Sequence, residues 1–194
     1  MDSAAREALA RRVLEHSSAD QTEVLVWSTN SALTRFTHNM VHQNVAEADV
    51  SVRIRAIAGK RTGVATTNAL DEQSLHDAVS RALEMAKLSP EDPQLPPLPS
   101  RGDVRPPEGA YAEQTAHATP HTRAQMCDSI FETAEQRGYW CAGFATTSTS
   151  GVSTGGTSSA AGSSSTSGSG GSATQSSAGR RTVLSRASAA GRRG

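Results

Sequence analysis

The sequence is poor in the residues that usually mark a chemical site. It has two cysteines, Cys127 and Cys141, among 194 residues. This excludes a disulfide framework, and their spacing is too wide for a zinc knuckle. No glycine-rich loop joins a strand to a helix in the manner of a phosphate-binding loop. Read from its residues alone, the chain contains a scaffold and no catalytic or metal-binding constellation.

The chain also lacks an excess of charge and any long apolar run. Its formal net charge is zero, so no global field favours nucleic acid or an anionic membrane. No apolar stretch approaches the ~20 residues that span a bilayer. Residues 1–15 carry Arg6, Arg11 and Arg12 without an uninterrupted apolar core, which is unlike a secretory signal. We therefore expect a cytoplasmic protein in a reducing compartment, without a membrane partner.

The stretch from Val50 to Leu88 carries the clearest pattern. Apolar and polar residues alternate over Val50–Ala58, the period of a half-buried strand. Gly59-Lys60 predicts a tight turn into a second strand, Arg61–Thr67. Asp71 then predicts the N-cap of an amphipathic helix. The apolar stripe of this helix consists of Leu75, Ala78, Val79, Ala82, Leu83 and Ala86, and Pro90 ends it.

The residues before Val50 predict one more helix and three more strands. The helix runs from Ser3 to His16, with Asp2 or Ser3 as its cap. The strands are Glu23–Trp27, Leu33–His38 and Val41–Ala48, separated by turns at Asn30-Ser31 and His38-Asn39. The connections are too short for parallel crossovers. We therefore predict an α+β domain over residues 1–88, an antiparallel sheet of about five strands with two helices on one face.

The composition then indicates a linker and a truncated second domain. Residues 89–118 are proline-rich and predict an extended linker. Over residues 119–149, Thr119-Pro120 predicts a helix start, Gly138 its end, and Tyr139–Ala145 a strand. We expect this incomplete domain to expose its apolar side chains, which are Met126, Ile130, Phe131, Tyr139, Trp140 and Phe144.

The last part, residues 150–194, predicts a disordered tail. Residues 146–179 carry no charge, and Val152 is their only apolar residue besides alanine. Such a segment buries too little surface to offset the cost of ordering its backbone. The end is rich in arginine, with Arg180, Arg181, Arg186, Arg192 and Arg193. We hypothesise that the chain leaves its ancestral reading frame soon after Phe144.

Few residues qualify as candidate ligands or nucleophiles. His38 and His42 are four residues apart, but a turn between strands does not bring them together as a helix would. His117 and His121 have the same spacing across a helix start. Cys127 and Cys141 are read as buried structural thiols. We assign no catalytic residue and no metal ligand, and the substrate-binding residues stay unknown.

Two groups of arginines remain as candidate binding surfaces. Arg53 and Arg55 share one face of a strand, where they either meet an acidic partner or form a solvated sheet face. The terminal arginines could contact phosphates, but no aromatic residues are interleaved with them. We therefore do not expect nucleic acid as a partner.

Several of these segments together resemble the N-terminal domain of the TldD/PmbA family, also known as modulators of DNA gyrase. The resemblance rests on the alanine-rich first helix, Ala19-Asp20 before the Glu23–Trp27 strand, the strand Val50–Ile57 and the hairpin Gly59–Ala65. It continues through Leu70–Ala86 into the run Leu88-Ser89-Pro90-Glu91-Asp92-Pro93, its most specific part. It resumes at the third helix and Gly143-Phe144, and covers roughly residues 1–149.

The resemblance implies a function in peptide proteolysis or maturation. Members of the family are implied to be cytoplasmic zinc metallopeptidases that pair a catalytic with a non-catalytic subunit. Their zinc is held by a His-Glu-x-x-x-His motif, which does not occur in this sequence. No ligand or catalytic residue can therefore be transferred to this chain, and its status as an enzyme stays open.

We accordingly expect the N-terminal part of a metallopeptidase subunit that is inactive alone, with zinc and a peptide substrate belonging to the complete assembly. The alternative is a non-catalytic protein-binding module or partner subunit.

Overall fold

The computed structural model describes residues 1–99 and 110–158, and the backbone of residues 173–177. Four helices and five strands occur within these residues. In chain order they are α1 (Ser3–Glu15), β1 (Gln21–Thr37), β2 (Met40–Ala58), β3 (Arg61–Thr67), α2 (Glu72–Leu88), α3 (Glu113–Ala116), α4 (Pro120–Gln136), β4 (Gly143–Ser158) and β5 (Ala173–Ser177). The predicted α+β class is confirmed.

The three long helices begin where their capping residues predict. The Asp2 carboxylate accepts from Ala5 N–H at 2.8 Å, and the Asp71 carboxylate accepts from Ser74 N–H at 3.0 Å. At α4, the Thr119 hydroxyl accepts from Thr122 N–H at 3.1 Å, and Pro120 occupies the first turn. Each cap satisfies a backbone donor that the first helical turn leaves free, so short-range sequence fixes these boundaries.

The predicted strands before β3 merge into two long ones. β1 continues through Asn30-Ser31, so the predicted turn at that position is wrong. β2 likewise joins the predicted strands Val41–Ala48 and Val50–Ala58. The turn at His38-Asn39 is confirmed, and both residues have positive φ, at 51° and 60°. This pair of positive φ angles is typical of a tight hairpin turn.

The strand order in the sheet is β3-β2-β1-β4-β5. β2 and β3 pair antiparallel, from Val52 opposite Thr67 to Ala58 opposite Arg61. β1 and β2 are joined by two residues, a connection that only antiparallel strands allow. About five strands were predicted within residues 1–88, but this part of the chain supplies only β1, β2 and β3, and the other two strands of the sheet, β4 and β5, come from the C-terminal part.

Strand β4 corrects the predicted tail. Disorder was expected from residue 150, but the strand continues to Ser158. The small residues of β4 allow close packing against α1, because an added Cβ on Gly151 would meet Arg6 Cζ at 2.5 Å and one on Gly155 would meet Leu14 Cδ1 at 3.1 Å. The hypothesis of a changed reading frame stays a prediction. The predicted disorder of residues 159–172 and 178–194 lies outside the described residues.

One face of the sheet carries both α1 and α2, as predicted. The buried residues of β1 and β2 alternate, including Val24, Val26, Val52 and Ile54. They form one hydrophobic core with residues of the two helices, namely Leu9, Ala10, Val13, Leu14, Leu75, Ala78, Val79 and Ala82. Burying a Leu, Val or Ile side chain contributes about 1.5–3 kcal/mol, so this face accounts for much of the stability.

A polar cluster also links α1 to α2. Glu72, in the first turn of α2, accepts a hydrogen bond from Arg12 at 2.5 Å and lies 2.7 Å from His16 Nε2. The hydrogen bond from Arg12 holds the pKa of Glu72 below its usual range. The cluster thus fixes the ends of the two helices relative to each other at the edge of the core.

The chain divides into two compact units, each assembled from distant segments. The first combines Met1–Ser28, Asp49–Pro107 and Gly151–Ser176, and the second combines Thr29–Ala48, Glu108–Ser150 and Ser177–Gly194. The boundaries at residues 88, 118 and 149 remain predictions from composition. α3 lies inside the predicted linker.

Among the described residues, no helix is both long and apolar enough to cross a membrane.

We predict that Gly63→Ala destabilises the first unit. A Cβ on Gly63 would lie 2.1 Å from Ala82 O and 2.3 Å from Ala86 N, both in the backbone of α2. Overpacking of this kind costs about 1–3 kcal/mol because helix and strand must separate. Urea denaturation of the two proteins measures the difference in the free energy of unfolding.

The matched control is Gly156→Ala, the same change in β4, where a Cβ would make only an ordinary contact, 3.4 Å from Thr22 O. Its expected effect is within about 0.5 kcal/mol. Equal losses in the two variants would contradict the close approach of α2 to β3.

Candidate functional site

An open groove in the second unit exposes two aromatic side chains. It has a volume of about 540 Å³ and lies between one face of α4 and the segment that follows it. Its lining includes Ile130, Thr133, Arg137, Tyr139, Trp140 and Cys141. Tyr139 and Trp140 keep 37% and 38% of their surface exposed. We call this feature the aromatic groove.

The end of α4 places the two aromatic residues in the groove. Gly138 has a φ of +67°, which only glycine adopts readily, and follows the last turn as the sequence predicts. Tyr139 N–H donates back to Ala134 O at 2.8 Å. The Trp140 ring then lies 4.8 Å from the His38 ring. These contacts hold the aromatic residues at the surface.

The segment after α4 is fixed by Asn39, which the sequence predicted as a turn residue and not as an anchor. Its side-chain amide donates to Tyr139 O at 3.1 Å. Its side-chain oxygen accepts from both the N–H and the thiol of Cys141, at 2.8 and 3.0 Å. A hairpin-turn residue therefore anchors a segment about 100 positions away in sequence, and no local pattern in the sequence indicates this contact.

Only part of the predicted apolar exposure is correct. Tyr139 and Trp140 are exposed, but Ile130 and Phe131 pack against a second core formed by Phe36, Cys127, Ala134, Cys141 and Ala145. Phe36 and Phe131 meet edge to face at 5.1 Å. Met126 and Phe144 are half-buried. One face of α4 is thus covered, because Phe36 of β1 and Ala145 of β4 belong to the same core.

Both cysteines are buried free thiols, as predicted. The thiol of Cys127 donates to Arg123 O at 3.4 Å. Burial raises the pKa of both Cys127 and Cys141. A nucleophilic or metal-binding cysteine needs the thiolate, so this environment opposes both roles.

The structure does not bring the histidines together into a metal site. His38 stands in the hairpin turn beside Trp140, and His42 lies on β2. His117 Nε2 lies 4.0 Å from Glu113, and both side chains are exposed. Within residues 1–99 and 110–158, no three His, Cys, Asp or Glu side chains converge as metal ligands. The described residues therefore do not fit the zinc that the family resemblance implies.

The two arginines of β2 differ in their surroundings. Arg55 forms an ion pair with Glu23 at 3.2 Å, and both side chains are about one third exposed. Arg53 is exposed. The solvated-face interpretation fits this pair, and the terminal arginines lie outside the described residues.

A second cavity lies in the same unit, beside a buried arginine. Arg123, on α4, is 2% exposed. Its Nε donates to the Thr34 hydroxyl at 3.0 Å, and its Nη1 donates to Ala118 O at 3.0 Å and to the Thr147 hydroxyl at 3.2 Å. Ala118 and Thr147 also line a cavity of about 260 Å³, which we call the Arg123 cavity.

Sequence reasoning missed Arg123 because an arginine on an amphipathic helix usually lies on the solvated face. Burial lowers its pKa.

Comparison with known proteins gives one family match and several structural matches. The family model described as PmbA/TldA metallopeptidase domain 1 matches residues 22–86. The fold resembles TldE from Thermococcus kodakarensis, with a TM-score of 0.67 and 18% identity over 88% of this chain and 36% of that one. The comparison with curated proteins gave no match.

Two further structures, each described as a candidate modulator of DNA gyrase, share this fold. The one from Bacteroides thetaiotaomicron has a TM-score of 0.65 and 14% identity, over 87% of this chain and 37% of that one. The one from Thermotoga maritima has a TM-score of 0.61 and 13% identity, over 88% and 37%. This chain thus spans little more than a third of the length of the solved structures it matches.

We predict that the buried thiols reduce stability at alkaline pH. The pKa values of both thiols are raised in the folded protein. The free energy of unfolding therefore has its full value below the ordinary thiol pKa of about 8.5, and it falls as pH rises from there through the pKa of the folded protein. Urea denaturation from about pH 7 to about pH 10, a range that spans the ordinary thiol titration, should show a decline in the free energy of unfolding that Cys127→Ala and Cys141→Ala each make shallower.

The quantity to compare is the slope of the free energy of unfolding against pH, to which each thiol adds at most about 1.4 kcal/mol per pH unit. A cavity left by the alanine lowers the whole curve and does not change this slope. Parallel pH curves for the parent and both variants would refute the raised pKa values.

Proposed function

We propose that the chain belongs to the PmbA/TldD family, whose domain 1 model matches residues 22–86, and that it forms the N-terminal, non-catalytic part of a metallopeptidase assembly of that family. The observation that carries this proposal is the match to domain 1, whose β1–β3 and α2 form one well-packed layer. The resemblance found in the sequence is thereby confirmed for this segment. Peptide proteolysis or maturation is the function of the assembly under this proposal.

The proposal assigns the chemistry to residues outside this chain. The described residues hold no converging set of metal ligands, and the sequence contains no His-Glu-x-x-x-His. A zinc-activated water needs three protein ligands with one open position. We therefore route no catalytic step through this chain, and propose that zinc and the general base belong to another part of the assembly.

The proposed location is the cytoplasm, where the metallopeptidase assembly would work. Two free, buried thiols support this location, because a reducing compartment keeps cysteines unpaired.

We expect the purified chain to bind no stoichiometric zinc and to cleave no peptide. Metal content after dialysis against zinc is measured by inductively coupled plasma mass spectrometry. Hydrolysis of a mixed peptide library is followed by mass spectrometry. A zinc peptidase of known activity, treated in the same way, shows that both assays respond. One zinc per chain together with peptide hydrolysis would overturn the proposal.

A second candidate function, a protein-binding module that pairs with a partner subunit, is favoured by the aromatic groove. Exposed Trp and Tyr on a concave apolar surface are frequent anchors of protein interfaces. Arg137 also lines the groove, and arginine is another residue type enriched at interfaces. Under this second proposal, the chain contributes a binding surface, and the partner subunit contributes the metal site.

We predict that Trp140→Ala weakens association with a full-length PmbA/TldD-family protein from the same genome. Loss of a central aromatic anchor typically costs about 2 kcal/mol or more, a ~30-fold rise in the dissociation constant. Native mass spectrometry of the mixed proteins measures the complex.

The matched control is Trp27→Ala, because Trp27 on β1 is 46% exposed but does not line the groove. It should leave association within about twofold, as expected for a residue away from the interface. Equal weakening by both variants, or by neither, would exclude the groove as the contact.

A further inference from the structure

We propose that the exposed prolines of residues 95–99 bind the aromatic groove of a second copy of this chain. The proposal starts from the way in which the first unit holds this segment. Its two leucines are half-buried, whereas its three prolines are exposed. We call these prolines the proline ridge, which consists of Pro96, Pro97 and Pro99. The segment therefore presents prolines to a partner and keeps its leucines for its own fold.

The sequence restricts the backbone of this segment to an extended conformation. Proline fixes its own φ and excludes the helical region for the residue before it. Leu95, Pro96 and Leu98 each precede a proline. The polyproline II helix that this favours has three residues per turn, so Leu95 and Leu98 lie on one side of it, in agreement with their half-burial. Because the ridge is preformed, its binding loses little conformational entropy.

Hydrogen bonds within the first unit fasten the segment. Lys60 Nζ donates to Leu95 O at 2.9 Å, and Leu98 N–H donates to Gln21 Oε1 at 2.7 Å. Just before the segment, Asp92 N–H donates to Lys60 O at 2.8 Å. These bonds use backbone groups of the segment and not the proline rings, so the ridge keeps its apolar surface exposed.

The aromatic groove has the chemistry that such a ridge requires. Proline-rich segments in the polyproline II conformation bind proteins in grooves lined by aromatic side chains. Tyr139 and Trp140 line the groove and remain more than one third exposed. Pro96 and Pro99 have the Pro-x-x-Pro spacing that is typical of ligands for such grooves. One chain therefore carries both halves of a known mode of recognition.

Charge complementarity favours the second copy as the occupant. Arg137 is the charged residue in the lining of the groove, and it is exposed. Two exposed acids, Glu91 and Asp92, come shortly before the ridge. Glu91 already pairs with Arg61 at 3.3 Å, so we assign Asp92 of one copy as the partner of Arg137 of the other. Opposite charges beside the apolar contact fix its register and disfavour ligands with a basic flank.

This inference rests on the second proposed function, in which the groove is a protein interface, and it adds the occupant. The test uses a synthetic peptide of residues 90–99 as the probe and the dilute full chain as the receptor. Isothermal titration calorimetry should show saturable binding, with a dissociation constant on the order of 100 μM for so short a peptide.

Two matched variants of the receptor locate the contact. Trp140→Ala should raise the dissociation constant of the peptide about 30-fold or more, because the groove loses a central aromatic anchor. Trp27→Ala removes an exposed tryptophan outside the groove and should leave the constant within about twofold. Equal binding by Trp140→Ala and the parent would overturn the proposal.

Two variants of the peptide show which side of the segment makes the contact. Replacing Pro96 and Pro99 together by alanine should raise the dissociation constant at least about tenfold, because the ridge and its preformed backbone are lost. Replacing Leu95 and Leu98 by alanine should change it by about twofold or less. The reverse order, which unspecific apolar binding would give, overturns the ridge as the contact. These variants leave the receptor unchanged, so they test the proposal even if Trp140→Ala does not fold.

Sedimentation velocity of the full chain tests the second copy as the occupant. The chain should associate once its concentration exceeds the dissociation constant of the peptide, and the double variant Pro96→Ala, Pro99→Ala should associate at least about tenfold more weakly. No saturable binding of the peptide, or a chain that stays monomeric while the peptide binds, would overturn the inference. Failure of the second proposed function is seen separately, as the absence of a complex with the full-length family protein.

Discussion

Burial of apolar side chains on the β1–β2 hairpin is the interaction on which the rest of the structure depends. β1 and β2 are 17 and 19 residues long and supply residues to both compact units. In the first unit, Val24, Val26 and Ile54 need the cover of α1 and α2. In the second unit, Phe36 needs α4 and β4. Each unit therefore closes only when segments distant in sequence meet, and this raises the loop-closure cost of folding.

Small residues serve this fold where larger ones would obstruct it. Gly63 lets the backbone of α2 approach β3, while Gly151 and Gly155 leave room for side chains of α1. A stretch rich in Ser, Thr and Gly has little hydrophobic signal of its own, which is why residues 150–158 were predicted to be disordered. Ladder pairing in the sheet and the close packing of α1 compensate for the missing apolar side chains.

The two halves of α4 place different residues in the second unit. Its C-terminal half and Gly138 direct Tyr139 and Trp140 to the surface, where an apolar groove suits a protein partner. Its N-terminal half buries Arg123 against neutral acceptors. Neither feature places a thiolate or a metal ligand set on the helix, because Cys127 is buried and held neutral.

The sequence by itself determined the local features. Capping residues set the starts of α1, α2 and α4, and Gly59-Lys60 and His38-Asn39 set the turns. The resemblance in the sequence also agrees with the family model that matches residues 22–86. These depend on neighbours within about four residues or on a direct match. Only the tertiary structure decided that β1 runs through Asn30-Ser31, that β4 continues to Ser158, and that Arg123 and Asn39 are buried. Their partners lie tens of residues away, so no local pattern contains the hydrogen bonds and packing that fix them.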